Sequence, residues 1–263
     1  MREVTPKKSL GQHWLHDEAT LDAIVECAEV RQADEVLEVG PGLGTLTRRL
    51  LAQGARVTAV EFDEALARNL IATKDTFGEG LTVVQEDILR FDLTQLQPGY
   101  KVVANIPYYL TSNLIRVLTE SINPFSIAAI LIQKEVAERA AAKPGQMSLL
   151  SVSAQFYCDV TLGPVVAAEL FTPPPKVDSQ VLVLKHRSEP LYPDVDAKQF
   201  FRVVRAGFSQ KRKTLENALS GGLAISKEEA RQLLMRASIV PDRRAQALSL
   251  GDWYALYSAY SEQ

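Results

Sequence analysis

The chain is sparing with the residues that staple, ligate or anchor. Its 263 residues include two cysteines, Cys27 and Cys158, and three histidines, His13, His16 and His186. Two cysteines so far apart, each in an apolar stretch with helical patterning, make no disulfide framework; they read as reduced core residues, which suits a cytoplasmic setting. His13 and His16 can share a helix face, but no cysteine or carboxylate set stands beside them, so no metal site is expected. No apolar run approaches the roughly 20 residues of a membrane span. The opening Met1-Arg2-Glu3-Val4 is not expected to be a signal peptide, and neither repeats nor low-complexity segments occur. What remains is ordinary globular material, 46% hydrophobic and 23% charged. It is long enough for one large domain, or for a large one with a small one.

Net positive charge is missing too. A formal charge of −3 does not by itself suggest a nucleic-acid binder. The positive residues are concentrated, however: Lys198, Arg202, Arg205, Lys211, Arg212 and Lys213 fall in one stretch opposed only by Glu216, and Lys7 and Lys8 lie near the start. Such a run is either a solvated face or a grip on phosphates, and both readings stay open at this point.

Hydrophobic patterning divides the chain. Residues 35–40, 56–62, 81–87, 100–106 and 128–133 are short β-rich runs, with helical patterning over 46–52, 64–77 and 112–121 between them. That alternation predicts a parallel sheet covered on both faces. A helix over 149–157 follows, then strand-like runs at 160–166 and 180–185 to close the sheet. Between these two, Phe171-Thr172-Pro173-Pro174-Pro175 cannot join a central strand. Pro190 and Pro193 mark a linker, after which everything reads as helix. Phe200, Phe201, Val203, Val204 and Phe208 form an apolar stripe, Ser226 with Glu229 is a capping box, and a last helix covers 253–260. The expectation is a Rossmann-like domain over 1–187 and a small all-α domain over 188–263.

The first β-run leads into Gly40-Pro41-Gly42-Leu43-Gly44-Thr45, a turn that lets backbone approach a ligand and opens a helix N-terminus towards it. Dehydrogenases use such turns, but their fingerprint wants a third glycine where this chain has Thr45, and Gly44 comes one position early. Glu61 ends the second β-run, near the offset of a carboxylate that accepts ribose hydroxyls. Asp87 ends the third and can accept from a cofactor adenine amino group. All these strand ends open on one sheet edge, where ligands bind in such folds.

Behind that turn stands Asn105-Ile106-Pro107-Tyr108. The exocyclic nitrogen of adenine is a poor nucleophile because its lone pair is delocalised into the ring. A side-chain amide oxygen and a backbone carbonyl can accept its two N–H bonds and pull it towards tetrahedral geometry. Proline stiffens the backbone and brings no N–H, and the aromatic ring offers the base a face to stack on. Behind a nucleotide-type turn, the segment points to N6-adenine methyl transfer.

Longer motifs carry a family resemblance over nearly the whole chain. They are Lys8-Ser9-Leu10-Gly11-Gln12-His13-Trp14-Leu15, Glu38-Val39-Gly40-Pro41-Gly42, Asn105-Ile106-Pro107-Tyr108, Phe171-Thr172-Pro173-Pro174-Pro175-Lys176-Val177-Asp178-Ser179 and Phe208-Ser209-Gln210-Lys211-Arg212-Lys213-Thr214-Leu215. With these the chain resembles the KsgA family of ribosomal RNA small-subunit adenine dimethyltransferases. The resemblance implies a Rossmann-like methyltransferase domain with S-adenosyl-L-methionine contacted by His13, Leu15, Gly40, Gly42, Glu61, Asp87 and Asn105. It implies that Asn105, Pro107 and Tyr108 hold the target adenine with Phe171 on its other face. The reaction it implies is N6,N6-dimethylation of two adjacent adenosines in a hairpin near the 3′ end of small-subunit (16S) rRNA during ribosome biogenesis. The basic residues Arg202, Arg205, Lys211, Arg212 and Lys213 would then bind rRNA. The implied partner is the small ribosomal subunit, with no membrane and a monomeric enzyme in the cytoplasm. Two positions depart from the pattern: His13 stands where many members have Asn, and Gln246 where a glutamate is usual.

Two rivals remain. One is a related methyltransferase that modifies large-subunit rRNA and confers macrolide resistance, against which the triple proline and Lys211-Arg212-Lys213 speak. The other is a small-subunit assembly factor with secondary catalysis, against whose purely structural form Asn105, Glu61 and Asp87 speak.

Overall fold

The computed structural model describes residues 6, 7 and 10–262. Residues 1–4, Lys8 and Ser9 of the sequence expectations lie outside the described residues. The chain opens with β1 (Trp14–Leu15) and α1 (Glu18–Cys27), the latter capped by Asp17, whose carboxylate accepts the Thr20 amide. Then come β2 (Glu35–Val39), α2 (Thr45–Ala52), β3 (Arg56–Glu61), α3 (Glu64–Ala72), β4 (Leu81–Gln85), β5 (Lys101–Asn105), α4 (Thr111–Thr119) and β6 (Ile127–Gln133). Next are α5 (Lys134–Ala140), α6 (Leu149–Tyr157), β7 (Cys158–Val166), β8 (Phe171–Thr172) and β9 (Ser179–His186). Four helices finish the chain: α7 (Ala197–Phe208), α8 (Leu215–Leu223), α9 (Lys227–Arg236) and α10 (Leu250–Ser261). No helix among the described residues is long and apolar enough to cross a membrane.

Two compact units result. One runs to Glu138 and takes up Cys158–His186; the other joins Arg139–Tyr157 to the chain from Arg187 onward. A single boundary at 187/188 therefore leaves out the excursion that carries α6. Helical patterning over 149–157 says that a helix forms but not which core receives it.

In the first unit the main sheet runs β4-β3-β2-β5-β6-β9-β7. The first five strands are parallel, and every residue from Ile127 to Ile132 of β6 is buried, so both faces of this strand are covered. The sheet is mixed rather than parallel, because β9 pairs antiparallel with both β6 and β7. No α-helix lies between β7 and β9 to make the crossover that a parallel pair needs. A register shift between Leu162 and Val165 accommodates Pro164 on the edge strand β7.

Several local expectations are also corrected. The helix expected over 64–77 stops at Ala72, where the Thr73 hydroxyl turns back onto the Asn69 carbonyl at 2.8 Å, and a short 3-10 turn covers Lys74–Phe77. Cys158 opens a strand rather than sitting in a helix, and it and Cys27 form no disulfide with each other. His13 and His16 flank β1 and share no helix face. The proline-rich loop stays out of the central sheet, yet its first two residues form β8, which pairs antiparallel with β1.

The second unit has its own core. Phe156 of α6 lies 4.7 Å from Phe200 and 5.3 Å from Phe201 of α7, between ring centroids. Gly207 and Gly222 let helices meet closely: a Cβ on Gly207 would fall 2.4 Å from Trp253 Cη2, and one on Gly222 2.6 Å from Ala206 Cα. Ser226 and Glu229 form the expected capping box on α9, and Ser249 with Asp252 forms another on α10. Gln246 has a plain structural account. Its carbonyl accepts the amides of Gly145 (2.9 Å) and Met147 (3.1 Å), and its side-chain amide donates to the Gly145 carbonyl at 3.3 Å. A glutamate could not make that last bond while ionised.

Candidate active site at the switch point of the sheet

The chain runs outward from β2 through β3 to β4, then returns to place β5 on the other side of β2. This reversal makes a crevice at the carboxyl ends of β2 and β5, the usual ligand position in open α/β sheets. The register Val39↔Ala104 brings Gly40 beside Asn105, and Val39↔Val60 brings Glu61 to the same edge. A cavity of about 310 Å³ opens there, within the size range of small-molecule sites. Its lining unites His13, Leu15, Gly40, Gly42, Glu61, Asp87, Asn105, Pro107, Tyr108 and Phe171, all the cofactor and base residues read from the sequence.

The glycine turn and Glu61 form one construction. Gly42, at φ +56°, donates its amide to Glu61 Oε2 at 3.1 Å, while Asp63 donates its own to Oε1 at 2.8 Å. A left-handed φ at this position favours glycine, which adopts it at no steric cost. Gly44 also packs tightly: a Cβ there would meet Phe77 Cζ at 2.7 Å. Burial pushes the Glu61 carboxyl upward, and the two amides offset part of that. Asp87 Oδ1 accepts the Leu89 amide at 3.0 Å, which fixes this carboxylate within its own turn.

Three contributors had no site role in the sequence, although Glu38 and Trp14 fall within the motifs that carry the resemblance. Asp63 follows Glu61 by two residues and caps α3. It receives Lys7 at 2.8 Å and Gln12 at 3.3 Å, so it ties the N-terminal segment across the cavity mouth. Burial pushes its carboxyl up, but Lys7, the Ala65 amide and Gln12 together hold it below its ordinary value. Glu38 of β2 lines the cavity at 1% exposure, and neither of its oxygens has a hydrogen-bond partner among the described residues. Burial pushes its carboxyl up to about 8; the hydroxyl and amide of neighbouring Thr47, though neither makes a well-formed bond to it, offset part of that, and the charge of Glu61 adds. Trp14 also lines the cavity, its buried Nε1 without a partner among the described residues. The capping aspartate was legible as helix punctuation, whereas the Glu38 environment comes only from three-dimensional burial.

The Asn-Ile-Pro-Tyr segment leaves the end of β5. Asn105 Nδ2 donates to the His13 carbonyl at 3.5 Å, a long bond that leaves the amide oxygen as the other edge of the group. The Pro107 carbonyl accepts the Leu110 amide at 3.0 Å and keeps a second lone pair. Tyr108 is half-buried, with its hydroxyl 2.9 Å from Ser179 Oγ. Phe171 is 3% exposed and pairs with Leu15 across the β1–β8 ribbon.

In the second unit, Lys198, Arg202 and Arg205 recur at i, i+4 and i+7 on the exposed side of α7. Lys211, Arg212 and Lys213 are exposed in the turn that follows. Glu216 does not oppose them, because it pairs with Arg231 at 3.1 Å. No ion pair among the described residues engages Lys198, Arg205, Lys211, Arg212 or Lys213.

A glycine-turn cavity with an Asn-x-Pro-aromatic edge narrows the comparison to methyltransferases. The model of the family described as "Ribosomal RNA adenine dimethylase" matches residues 4–262. The chain belongs to the ribosomal RNA adenine dimethylases. Among the relatives of this dimethylase is the Ribosomal RNA small subunit methyltransferase A of Dehalococcoides mccartyi, 38% identical over 97% of this chain and 89% of that one. The protein of the same name in Clostridium acetobutylicum is 40% identical over 94% and 90%. Among solved structures, a dimethyladenosine transferase from Plasmodium falciparum superposes with a TM-score of 0.80 at 26% identity, covering 95% of this chain and 98% of that one. The 23S rRNA methyltransferase ErmE gives 0.74 at 27% identity, covering 94% and 99%. The dimethylase is thus a Rossmann-like, S-adenosylmethionine-dependent methyltransferase of ribosomal RNA.

Proposed function

We propose that this dimethylase adds two methyl groups to N6 of each of two adjacent adenosines in a hairpin near the 3′ end of small-subunit rRNA, during ribosome biogenesis. The observation that carries the reading is Asn105, set by the β2–β5 register at the edge of the glycine-turn cavity, with Pro107, Tyr108 and Phe171 around it. Higher identity to relatives named for the small subunit than to the 23S enzyme supports small-subunit rRNA over large-subunit rRNA.

S-adenosylmethionine supplies a methyl group already activated by its sulfonium, so alignment and polar positioning are what the protein adds. The residues fit such a group. Glu61, locked by two amides, keeps lone pairs for ribose hydroxyls, and Asp87 has an oxygen for the cofactor's amino group. Gly40 and Gly42 bring backbone close, while His13 and Leu15 close the cavity from the N-terminal side. On the target side, Asn105 Oδ1 and the second lone pair of the Pro107 carbonyl accept the two N6 hydrogens. The lone pair of N6 is thereby withdrawn from the ring and freed to attack. The surplus proton on N6 leaves by way of these acceptors to water as conjugation returns, so no strong base is required. Tyr108 and Phe171 hold the faces of the base, each stack contributing about 1–3 kcal/mol against the few kcal/mol needed to unstack the adenosine. After the first transfer one N–H remains, and one acceptor suffices to orient it for the second.

The exposed cations of the second unit, Arg202, Arg205, Lys211, Arg212 and Lys213, grip rRNA phosphates and fix register. On this reading the enzyme works as a monomer. A cytoplasmic location follows from the substrate. The test is nucleoside analysis of unmethylated small subunits after incubation with wild type and Asn105→Ala. Wild type yields N6,N6-dimethyladenosine at two adjacent positions. Asn105→Ala lowers transfer by about a hundredfold, the scale of losing one preorganised polar contact to the reacting group, with cofactor affinity held within about threefold. Equal losses in both would contradict the role of Asn105.

A further inference from the structure

The first turn of the chain does more than cover the cofactor cavity. The β1–β8 ribbon pairs Trp14 with Thr172 and Leu15 with Phe171. Continued by one residue, that antiparallel register sets His13 opposite Pro173. Proline has no amide to donate, so the backbone ladder loses a bond at this position. The His13 side chain takes it over, with Nδ1 2.6 Å from the Pro173 carbonyl oxygen. A carbonyl can only accept, so Nδ1 carries the proton and donates. The same ring stacks against Tyr108, with centroids 6.0 Å apart and planes 20° from parallel, and the His13 carbonyl accepts from Asn105. One residue thus touches Tyr108, Asn105 and the loop that carries Phe171, the three groups placed around the target base.

We infer that His13 is a positioning residue of the target-adenine clamp. Its Nδ1–H anchors the Phe171 loop through Pro173, and its ring backs Tyr108, so the spacing of the two clamping aromatics is set from the N-terminal strand. This rests on the reading of Tyr108 and Phe171 as the base clamp. It differs from a simple cofactor contact, because the nitrogen that the ring commits is bonded to the target-side loop.

The geometry also says which substitution rescues what. Asparagine carries a nitrogen on Cγ, the same position as Nδ1, and can restore the bond to Pro173 but not the stack. Phenylalanine keeps the ring and loses the bond. The experiment compares wild type, His13→Ala, His13→Phe and His13→Asn for kcat and KM with unmethylated small subunits, and for affinity towards S-adenosylhomocysteine. Expected is a fall in kcat of about tenfold for His13→Ala, recovery to within about threefold to fivefold for His13→Asn and for His13→Phe, each of which keeps one of the two contacts, and cofactor-product affinity that changes less than kcat throughout. Affinity falling in step with kcat would overturn the inference and make His13 a cofactor contact. Unchanged kcat in His13→Ala would overturn it as well. A wild-type enzyme that labels no small subunits would instead overturn the functional reading, and the base-clamp role with it.

Discussion

Glu38→Gln isolates the cost of holding a buried carboxyl at the wall of the glycine-turn cavity. The folded protein keeps the Glu38 proton up to about pH 8, while the unfolded chain releases it near the ordinary value of about 4.3. Between these limits the native state binds one proton more than the unfolded state, so stability falls as pH rises, by about 1.36 kcal/mol per pH unit. From pH 5 to pH 7.5 this group alone removes about 3 kcal/mol. Exposure of only 1% leaves little solvent screening to reduce the figure. Glutamine preserves the shape and has no proton to lose. It leaves a polar group buried too, but that penalty does not vary with pH, so the slope is the quantity to compare. Urea unfolding of the cofactor-free protein, followed by circular dichroism from pH 5 to pH 8.5, should give a Glu38→Gln curve that gains on wild type by about 4 kcal/mol and levels off above pH 8. Parallel curves would mean that Glu38 ionises like an ordinary surface acid.

Other outcomes follow from single contacts. Gly207→Ala drives a Cβ to 2.4 Å from Trp253, an overpacking worth about 1–3 kcal/mol that should lower Tm by roughly 3–10 °C; an unchanged Tm would show that the helices part freely. Replacing Lys211 and Arg212 by glutamine should flatten the log–log salt dependence of small-subunit binding by about 1.5, whereas an unchanged slope returns this stretch to a solvated face. Asp63 is depressed, so the stabilisation from its Lys7 pair is complete above about pH 4 and is lost as pH falls through the lower folded value. Asp63→Asn should therefore speed proteolysis near residue 7 at neutral pH; equal cleavage rates would mean that the pair does not hold the segment.

The cavity lining was largely legible because much of it is local. The glycine turn, Glu61 and Asp87 sit at the ends of successive β-runs, and a parallel sheet carries such ends to one edge whatever the details of packing. Asn105 was legible because an Asn-x-Pro-aromatic segment has few other uses behind such a turn. What escaped is what depends on distant partners. Glu38 is a plain strand residue in sequence, and only burial on both sides of β2 makes its proton hard to lose. Asp63 shows as a helix cap, and nothing local tells that Lys7 and Gln12 return to it. The sense of β9 escaped because apolar periodicity is the same for parallel and antiparallel strands, and α6 changed units because a helical stripe does not name the core that receives it.

If the edge formed by Asn105, Pro107, Tyr108 and Phe171 presents adenine N6 of small-subunit rRNA for methyl transfer, only small subunits should accept the methyl group. The most direct test is transfer of labelled methyl from S-adenosylmethionine to unmethylated small subunits, unmethylated large subunits and duplex DNA in parallel. Label is expected in small subunits alone, recovered as N6,N6-dimethyladenosine. Label in large-subunit RNA or in DNA, or small-subunit binding with no label at all, would contradict that role of the edge.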